Sequence, residues 1–233
     1  MKIKLFHLQN SRSQRVMWLL EELQLEYEII QCSLQDNDFG LKQLKELSPS
    51  AKFPTIQIIS ENETFILNET SAIMEYLIYF TKKSNYSLVS NEDYKDFYYW
   101  KNFSEATFLP DLVLKQVFHQ IITKSPFPLH FFPKVIKYTF DKLFLNPQLE
   151  QHIQKIDTHL ANHKWFAGNT FTIADILLWF PISAYFSATQ PELKYPHIHS
   201  YLEQINQLDS FQTALNKGNW SLTIFQKYWK SAW

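Results

Sequence analysis

Hydrophobic and polar positions in the first third of the chain switch between two periods. Ile3, Leu5, Phe6 and Leu8 lie in a short run broken by Lys4 and His7, the pattern of a strand. Val16, Leu19, Leu20 and Leu23 then fall at i, i+3, i+4 and i+7, which predicts an amphipathic helix, and Ser11 with Gln14 forms a capping-box pattern at its start. Tyr27 to Cys32 is a second strand. A helix between two strands predicts a parallel pair joined by a right-handed crossover. A short helix is expected around Leu41 to Glu46. Thr55 to Ile59 and Thr64 to Leu67, separated by the turn-rich Ser60-Glu61-Asn62-Glu63, predict an antiparallel hairpin. Ile73, Leu77 and Phe80 give a closing helix one apolar stripe.

Strand signals then fade. Lys82-Lys83-Ser84-Asn85 ends that unit, and the polar stretch that follows, to Asp93, reads as the linker. Tyr94 to Ile122 is a long helical pattern that Pro110 should bend or break. Pro126, Pro128 and Pro133 mark a loop carrying Phe127, His130, Phe131 and Phe132. Helices are expected from Lys134 to Leu145, and from Pro147 in a first turn to His163. Thr172 and Asp175 make a second capping-box pattern before a nearly all-apolar helix. A helix apolar on every side is buried, so this one forms the core of the second half. The expected fold is α/β plus all-α: a thioredoxin-like βαβ-ββα domain over 1–83, a linker over 84–92, and an all-helical domain over 93–233. There is no internal repeat and no low-complexity segment.

Composition narrows the function. With 45% hydrophobic residues and 17% aromatic in 233, the chain has ample material for a packed core. Its 22 basic and 23 acidic residues leave a formal charge of −1, so no field favours nucleic acid or an anionic membrane. One cysteine, Cys32, excludes an internal disulfide framework and a CxxC site; placed among apolar residues, it reads as a small buried hydrophobe. The histidines show no HExxH motif, and no metal is expected. The N-terminus lacks the apolar segment of a signal peptide, and the run Ile173 to Phe186 is too short to span a bilayer. The expected location is the cytoplasm.

Candidate chemistry centres on Lys52-Phe53-Pro54-Thr55-Ile56 and on Asn68-Glu69-Thr70-Ser71. Pro54 opens a β-branched run where a strand tolerates a missing N–H, and it is a candidate cis proline. Asn68 to Ser71 supply a helix N-terminus suited to a carboxylate. Together the two stretches suggest a pocket for a small zwitterionic peptide.

Lys52-Phe53-Pro54 followed by Glu69-Thr70-Ser71-Ala72-Ile73 resembles the paired signatures of cytosolic glutathione S-transferases, and the resemblance extends over nearly the whole chain. It implies glutathione as co-substrate, with Thr70 on the γ-glutamyl carboxylate, Glu69 on the ammonium, the Phe53 backbone before Pro54 on the cysteinyl part, and Lys52 on the glycyl carboxylate. It places the catalytic hydroxyl at Ser11, with Asn10 and Ser13 as neighbouring donors. A free thiol near pKa 8.5 is only about 3% ionised at neutral pH, and a hydroxyl aimed from a helix N-terminus could lower that value by about two units. Arg15 stays open between a structural and a functional role. Ala51 stands where the family commonly has glycine, and Thr70 where serine is frequent. The resemblance further implies a homodimer and a small apolar electrophile as the second substrate. A non-catalytic member keeping the fold for ligand or protein binding is the alternative.

Overall fold

The computed structural model describes residues 2–35, 37–61, 63–81, 93–127, 129, 131–191 and 194–233; the expected linker over 84–92 lies outside them. The chain divides into two compact units, Met1–Leu88 with Gln204–Leu222, and Val89–Glu203 with Thr223–Trp233.

The first unit is built on β1 (Lys2–Leu8), α1 (Ser13–Glu22), β2 (Glu28–Cys32), α2 (Phe39–Leu47), β3 (Thr55–Ile59), β4 (Thr64–Asn68) and α3 (Thr70–Thr81). Its sheet runs β2-β1-β3-β4, with β1 parallel to β2 and the other pairs antiparallel. This is the βαβ-ββα arrangement the periodicities predict. The α1 helix packs on β1, α3 and α10 (Asp209–Lys217), and every residue from Ser13 to Leu20 is buried. Trp18 meets Phe211 of α10 edge-on at 4.8 Å. Two local expectations fail. Gln14 does not close a capping box with Ser11, because its amide donates instead to the Ala214 carbonyl at 2.6 Å, a buried acceptor that needs a partner. Phe80 is 47% exposed, and the buried face of α3 is completed by Met74 and Ile78 beside Ile73 and Leu77.

The second unit is helical. From Tyr94 the chain stays helical to Lys124 through α4 (Tyr94–Phe103), a π-helical turn (Ser104–Phe108) and α5 (Leu109–Lys124). Pro110 therefore does not break the helix: it directly follows the π turn, whose wider i→i+5 bonding, with the Leu109 N–H reaching Ser104, accommodates a residue that has no N–H to give. The same device recurs in α6 (Phe131–Phe140), a π turn (Asp141–Leu145) and α7 (Asn146–Leu160). The expected proline-rich loop is thereby shortened, because Phe131, Phe132 and Pro133 form the first turn of α6; Pro128 and His130 lie outside the described residues. Pro147 occupies the first turn of α7, as its spacing predicts. Beyond them come α8 (Ile173–Thr189), α9 (Pro196–Asn206) and α11 (Leu222–Lys230). Among the described residues no helix is long and apolar enough to cross a membrane.

The α8 helix is the core of this unit, buried along nearly its whole length. Its first turn is held by the predicted capping box: the Thr172 hydroxyl accepts from the Ala174 N–H, and the fully buried Asp175 carboxylate accepts from the Thr172 N–H at 2.9 Å. Asp175 also accepts from the Phe166 N–H at 2.9 Å, which pins the preceding loop. Sequence did not announce a second buried polar cluster. Lys115 of α5, almost wholly buried, pairs with Asp141 at 3.2 Å, donates to Asn146 Oδ1 at 2.5 Å, and lies 4.6 Å from the Trp233 ring centroid.

Removing the Asp175 carboxylate strands two buried N–H groups at once. Asp175→Ala should lower unfolding stability by about 3 kcal/mol or more, read as an earlier midpoint in urea.

Candidate functional site

The site grows out of three turns, each entered through a left-handed backbone. Asn10 (φ 56°) precedes Ser11, Ala51 (φ 44°) precedes Lys52, and Glu69 (φ 72°) precedes Thr70. Non-glycine residues adopt this region at a cost of about 1–2 kcal/mol, and such positions gather where a backbone must be aimed. The family's preferred glycine at the place of Ala51 has this reason. Between these turns the Phe53–Pro54 peptide is cis, as the sequence context suggests. Pro54 is buried, and Phe53 is half-buried against the cluster of Phe6, Cys32 and Leu44. The Thr55 hydroxyl donates to the Lys52 carbonyl at 2.7 Å and steadies the turn that leads into β3.

The α3 N-terminus supplies the second part. The Glu69 carbonyl accepts the first helical bond, from Ile73 N–H at 3.0 Å, so the amides of the residues that follow it are the unpaired donors of a helix start. Thr70 is buried and Glu69 exposed. Arg15 of α1, wholly buried, donates to Thr70 Oγ1 at 3.5 Å. This leaves the Thr70 hydroxyl proton free to point outward and places a cation behind the spot where a carboxylate would sit. The contact sets Arg15, whose role the sequence leaves open, against a residue expected to hold the carboxylate. A residue on the buried face of a helix carries no pattern that would reveal such a partner.

Glu69 and Lys52 meet each other at 4.0 Å, with about two thirds of each side chain exposed. An extended tripeptide spans about 10 Å, so two groups assigned to its opposite ends must part to hold it. An exposed pair of this kind parts at little cost.

Ser11 lies in the turn between β1 and α1, partly exposed. Its Oγ accepts from the Ser13 N–H at 3.2 Å and lies 2.8 Å from Ser13 Oγ. The neighbouring Asn10 is engaged otherwise, its Oδ1 accepting from the Ser221 N–H at 2.8 Å. Ser13 is fully buried and 2.8 Å from His7 Nδ1. Cys32 is buried on β2, its thiol pushed up to about 12 chiefly by burial and then by the charge of Asp38, the state of an inert thiol.

Away from these turns, in the helical unit, Asp96, His159 and His163 bring ligand-type atoms within 4.8 Å of one another. The His159-x3-His163 spacing lies outside the motifs considered above. His159 Nε2 donates to the Phe166 carbonyl and His163 Nδ1 to the His159 carbonyl, and the two rings stack at 4.2 Å and 10°. An ion about 2.0–2.1 Å from a nitrogen of each cannot lie in the planes of two rings so stacked. The arrangement is that of a stacked pair.

A thioredoxin-like unit with a cis proline before β3, a hydroxyl at the head of α1 and an acidic residue with a hydroxyl at the head of α3, followed by a helical unit, defines a glutathione transferase fold. The chain belongs to the glutathione S-transferase family: the family's N-terminal domain matches residues 11–78 and its C-terminal domain residues 118–209. It is similar to glutathione S-transferase 3 of Schizosaccharomyces pombe, 29% identical over 228 residues that span 96% of this chain and 91% of that protein. It is also similar to the disulfide-bond oxidoreductase YfcG of Escherichia coli, 24% identical over 92% of this chain and 95% of that one. Among solved structures, a glutathione S-transferase from Actinobacillus pleuropneumoniae superposes with a TM-score of 0.73 at 26% identity, covering 94% of each chain. A glutathione transferase family member from Pseudomonas fluorescens, solved with two glutathione molecules bound, superposes with a TM-score of 0.72 at 20% identity over 91% of this chain and 92% of that one.

The Arg15 contact makes a specific claim. Arg15→Met, which keeps the volume and removes the donor and charge, should weaken glutathione binding about tenfold in isothermal titration, roughly 1.4 kcal/mol, while the far-ultraviolet circular dichroism stays native.

Proposed function

We propose that this chain is a serine-type glutathione transferase, in which the Ser11 hydroxyl holds the sulfur of glutathione as thiolate for attack on a small electrophilic or peroxide co-substrate. The observation that carries this is the Arg15–Thr70 contact, which ties α1, whose leading turn bears Ser11, to the first residue of α3. Thr70 and the first amides of α3 would hold the γ-glutamyl carboxylate, Glu69 the ammonium, the Phe53 backbone the cysteinyl part, and Lys52 the glycyl carboxylate. Residues 1–83 would carry this glutathione site and residues 93–233 the apolar co-substrate site. The chain would act as a homodimer in the cytoplasm.

A thiolate at this place does more than one chemistry. Likeness to a bacterial disulfide-bond oxidoreductase over nearly the full length favours one second reading: the same thiolate attacks a small disulfide, forming a glutathione mixed disulfide and releasing the other sulfur as thiolate. Neither route uses Cys32, whose thiol is buried and protonated.

Isothermal titration with glutathione, with ultraviolet difference spectra taken from about pH 5 to 9, tests the reading. Binding with a thiolate band that persists well below pH 8 supports it. Binding without the band assigns the chain to ligand holding, and no binding overturns the roles of Phe53, Glu69 and Thr70. Ser11→Ala should leave glutathione affinity nearly intact and cut turnover about ten- to a hundredfold, the effect of restoring up to two pKa units to the thiol. Unchanged turnover would remove Ser11 from the catalytic role.

A further inference from the structure

Three side chains behind the proposed sulfur position form one continuous hydrogen-bonded line. Ser11 Oγ lies 2.8 Å from Ser13 Oγ, Ser13 Oγ lies 2.8 Å from His7 Nδ1, and His7 Nε2 lies 2.9 Å from the Gly218 carbonyl. Ser13 and His7 have no exposed surface. A Cβ at Gly218, at the far end, would stand 2.1 Å from Gln14 Oε1, so a side chain there would have to displace Gln14.

The direction of the protons along this line follows from elementary chemistry. A carbonyl only accepts, so the His7 Nε2 proton points at Gly218, and in the neutral ring Nδ1 is a bare acceptor. Burial lowers the affinity of His7 for a second proton, with the Gly218 carbonyl working the other way, so the neutral ring is the resting form. The Ser13 hydroxyl has one proton and three acceptors in range: His7 Nδ1, Ser11 Oγ, and the Leu8 carbonyl at the longer 3.2 Å. Given to Nδ1, that proton leaves Ser13 Oγ accepting from the Leu8 N–H at 3.2 Å and from the Ser11 hydroxyl. Ser11 in its resting state therefore offers its outer face as an acceptor, the opposite of what a bound thiolate requires.

From this we propose that Ser13 and His7 complete the thiol-activating machinery: Ser13 relays, and His7 Nδ1 accepts, the proton that glutathione loses when its thiolate forms at Ser11. The proposal rests on the function given above and names the destination of its proton. The S–H bond breaks as its proton joins Ser11 Oγ, the Ser11 proton moves to Ser13 Oγ, and the Ser13 proton moves to Nδ1. One S–H is lost and one N–H gained, with no change in oxidation state. Every hydrogen bond from the sulfur to Nδ1 is then reversed, so that the thiolate accepts from Ser11, Ser11 from Ser13, and Ser13 from the imidazolium, while Nε2 still donates to Gly218. The Cys32 thiol on neighbouring β2, near enough for the His7 backbone to act on it, stays protonated and takes no part. In water the transfer from thiol to imidazole is uphill by about two pKa units. Burial makes it steeper for the free protein, so His7 charges only when a thiolate stands at the other end. The N-terminus of α1 adds its own preference for that anion.

The test is nitrogen NMR of the protein labelled at histidine, near pH 7, free and saturated with glutathione or with S-methylglutathione, which has no thiol proton to give. The proposal expects His7 neutral with bare Nδ1 in the free protein and with the thioether, and doubly protonated with glutathione. In parallel, Ser13→Ala should keep glutathione binding within about twofold but shift the thiolate titration up by at least about one unit, a tenfold loss of thiolate below its midpoint, and Ser13→Thr should restore it. A thiolate band in the native protein while His7 stays neutral overturns the relay alone. A Ser13→Ala variant with an unshifted thiolate titration does the same. Absence of any thiolate in the native protein overturns the function and the relay together.

Discussion

The first two turns of α1 have no face turned to water, and this constraint organises the unit around them. From Ser13 through Leu20 every residue is buried, among them Ser13, Gln14 and Arg15. Buried polar groups must be hydrogen-bonded or they cost more than the helix can return. Each of the three reaches a different element: Ser13 to His7 on β1, Gln14 to the carbonyl of Ala214 on α10, and Arg15 to Thr70 at the head of α3. The start of the helix is thus fixed from three sides by groups that cannot let go cheaply. The Ser11 hydroxyl, carried just ahead of it, inherits that fixed position, which the proposed role requires.

The same economy explains where strain is tolerated. Asn10, Ala51 and Glu69 hold left-handed backbones in three separate turns, and each turn leads directly into a residue assigned to glutathione. Loops free to relax would abandon such conformations. Here the buried partners of α1, the cis Phe53–Pro54 turn packed on Phe6, Cys32 and Leu44, and the first turn of α3 leave the chain no alternative path. The helical unit uses a parallel device at Thr172 and Asp175, where one buried carboxylate satisfies two backbone donors and fixes both a loop and the start of the core helix.

Family membership and the chemistry of this chain stand on different supports. Matches to both family domains and the superposed structures establish the fold and its kinship. The proposed chemistry rests instead on the hydrogen-bonded line of Ser11, Ser13 and His7. A transferase at 29% identity and a disulfide-bond oxidoreductase at 24% both appear among its relatives, so kinship on this fold does not by itself fix the reaction.

The sequence alone determined whatever depends on periods and on local backbone chemistry. The four strands, the order βαβ-ββα, the proline that opens β3, the Thr172–Asp175 box and the all-apolar α8 were legible because period two, period 3.6 and capping residues act over a few positions. Tertiary structure decided whatever depends on partners far apart in the chain. Gln14 looked like half of a capping box and became a donor to Ala214; Phe80 looked like core but is 47% exposed, the buried face of α3 being completed by Met74 and Ile78 instead. Pro110 was expected to bend or break its helix and Phe131-Phe132-Pro133 to lie in a loop, where a π turn carries the helix past the first and the second forms a helix start. The Arg15–Thr70 contact and the line from Ser11 to His7 to Gly218 could not be read beforehand. Such bonds, from neighbouring side chains to residues 55 or 211 positions away, leave no period in the sequence, and only the packing of α1 against β1, α3 and α10 creates the burial that makes them obligatory.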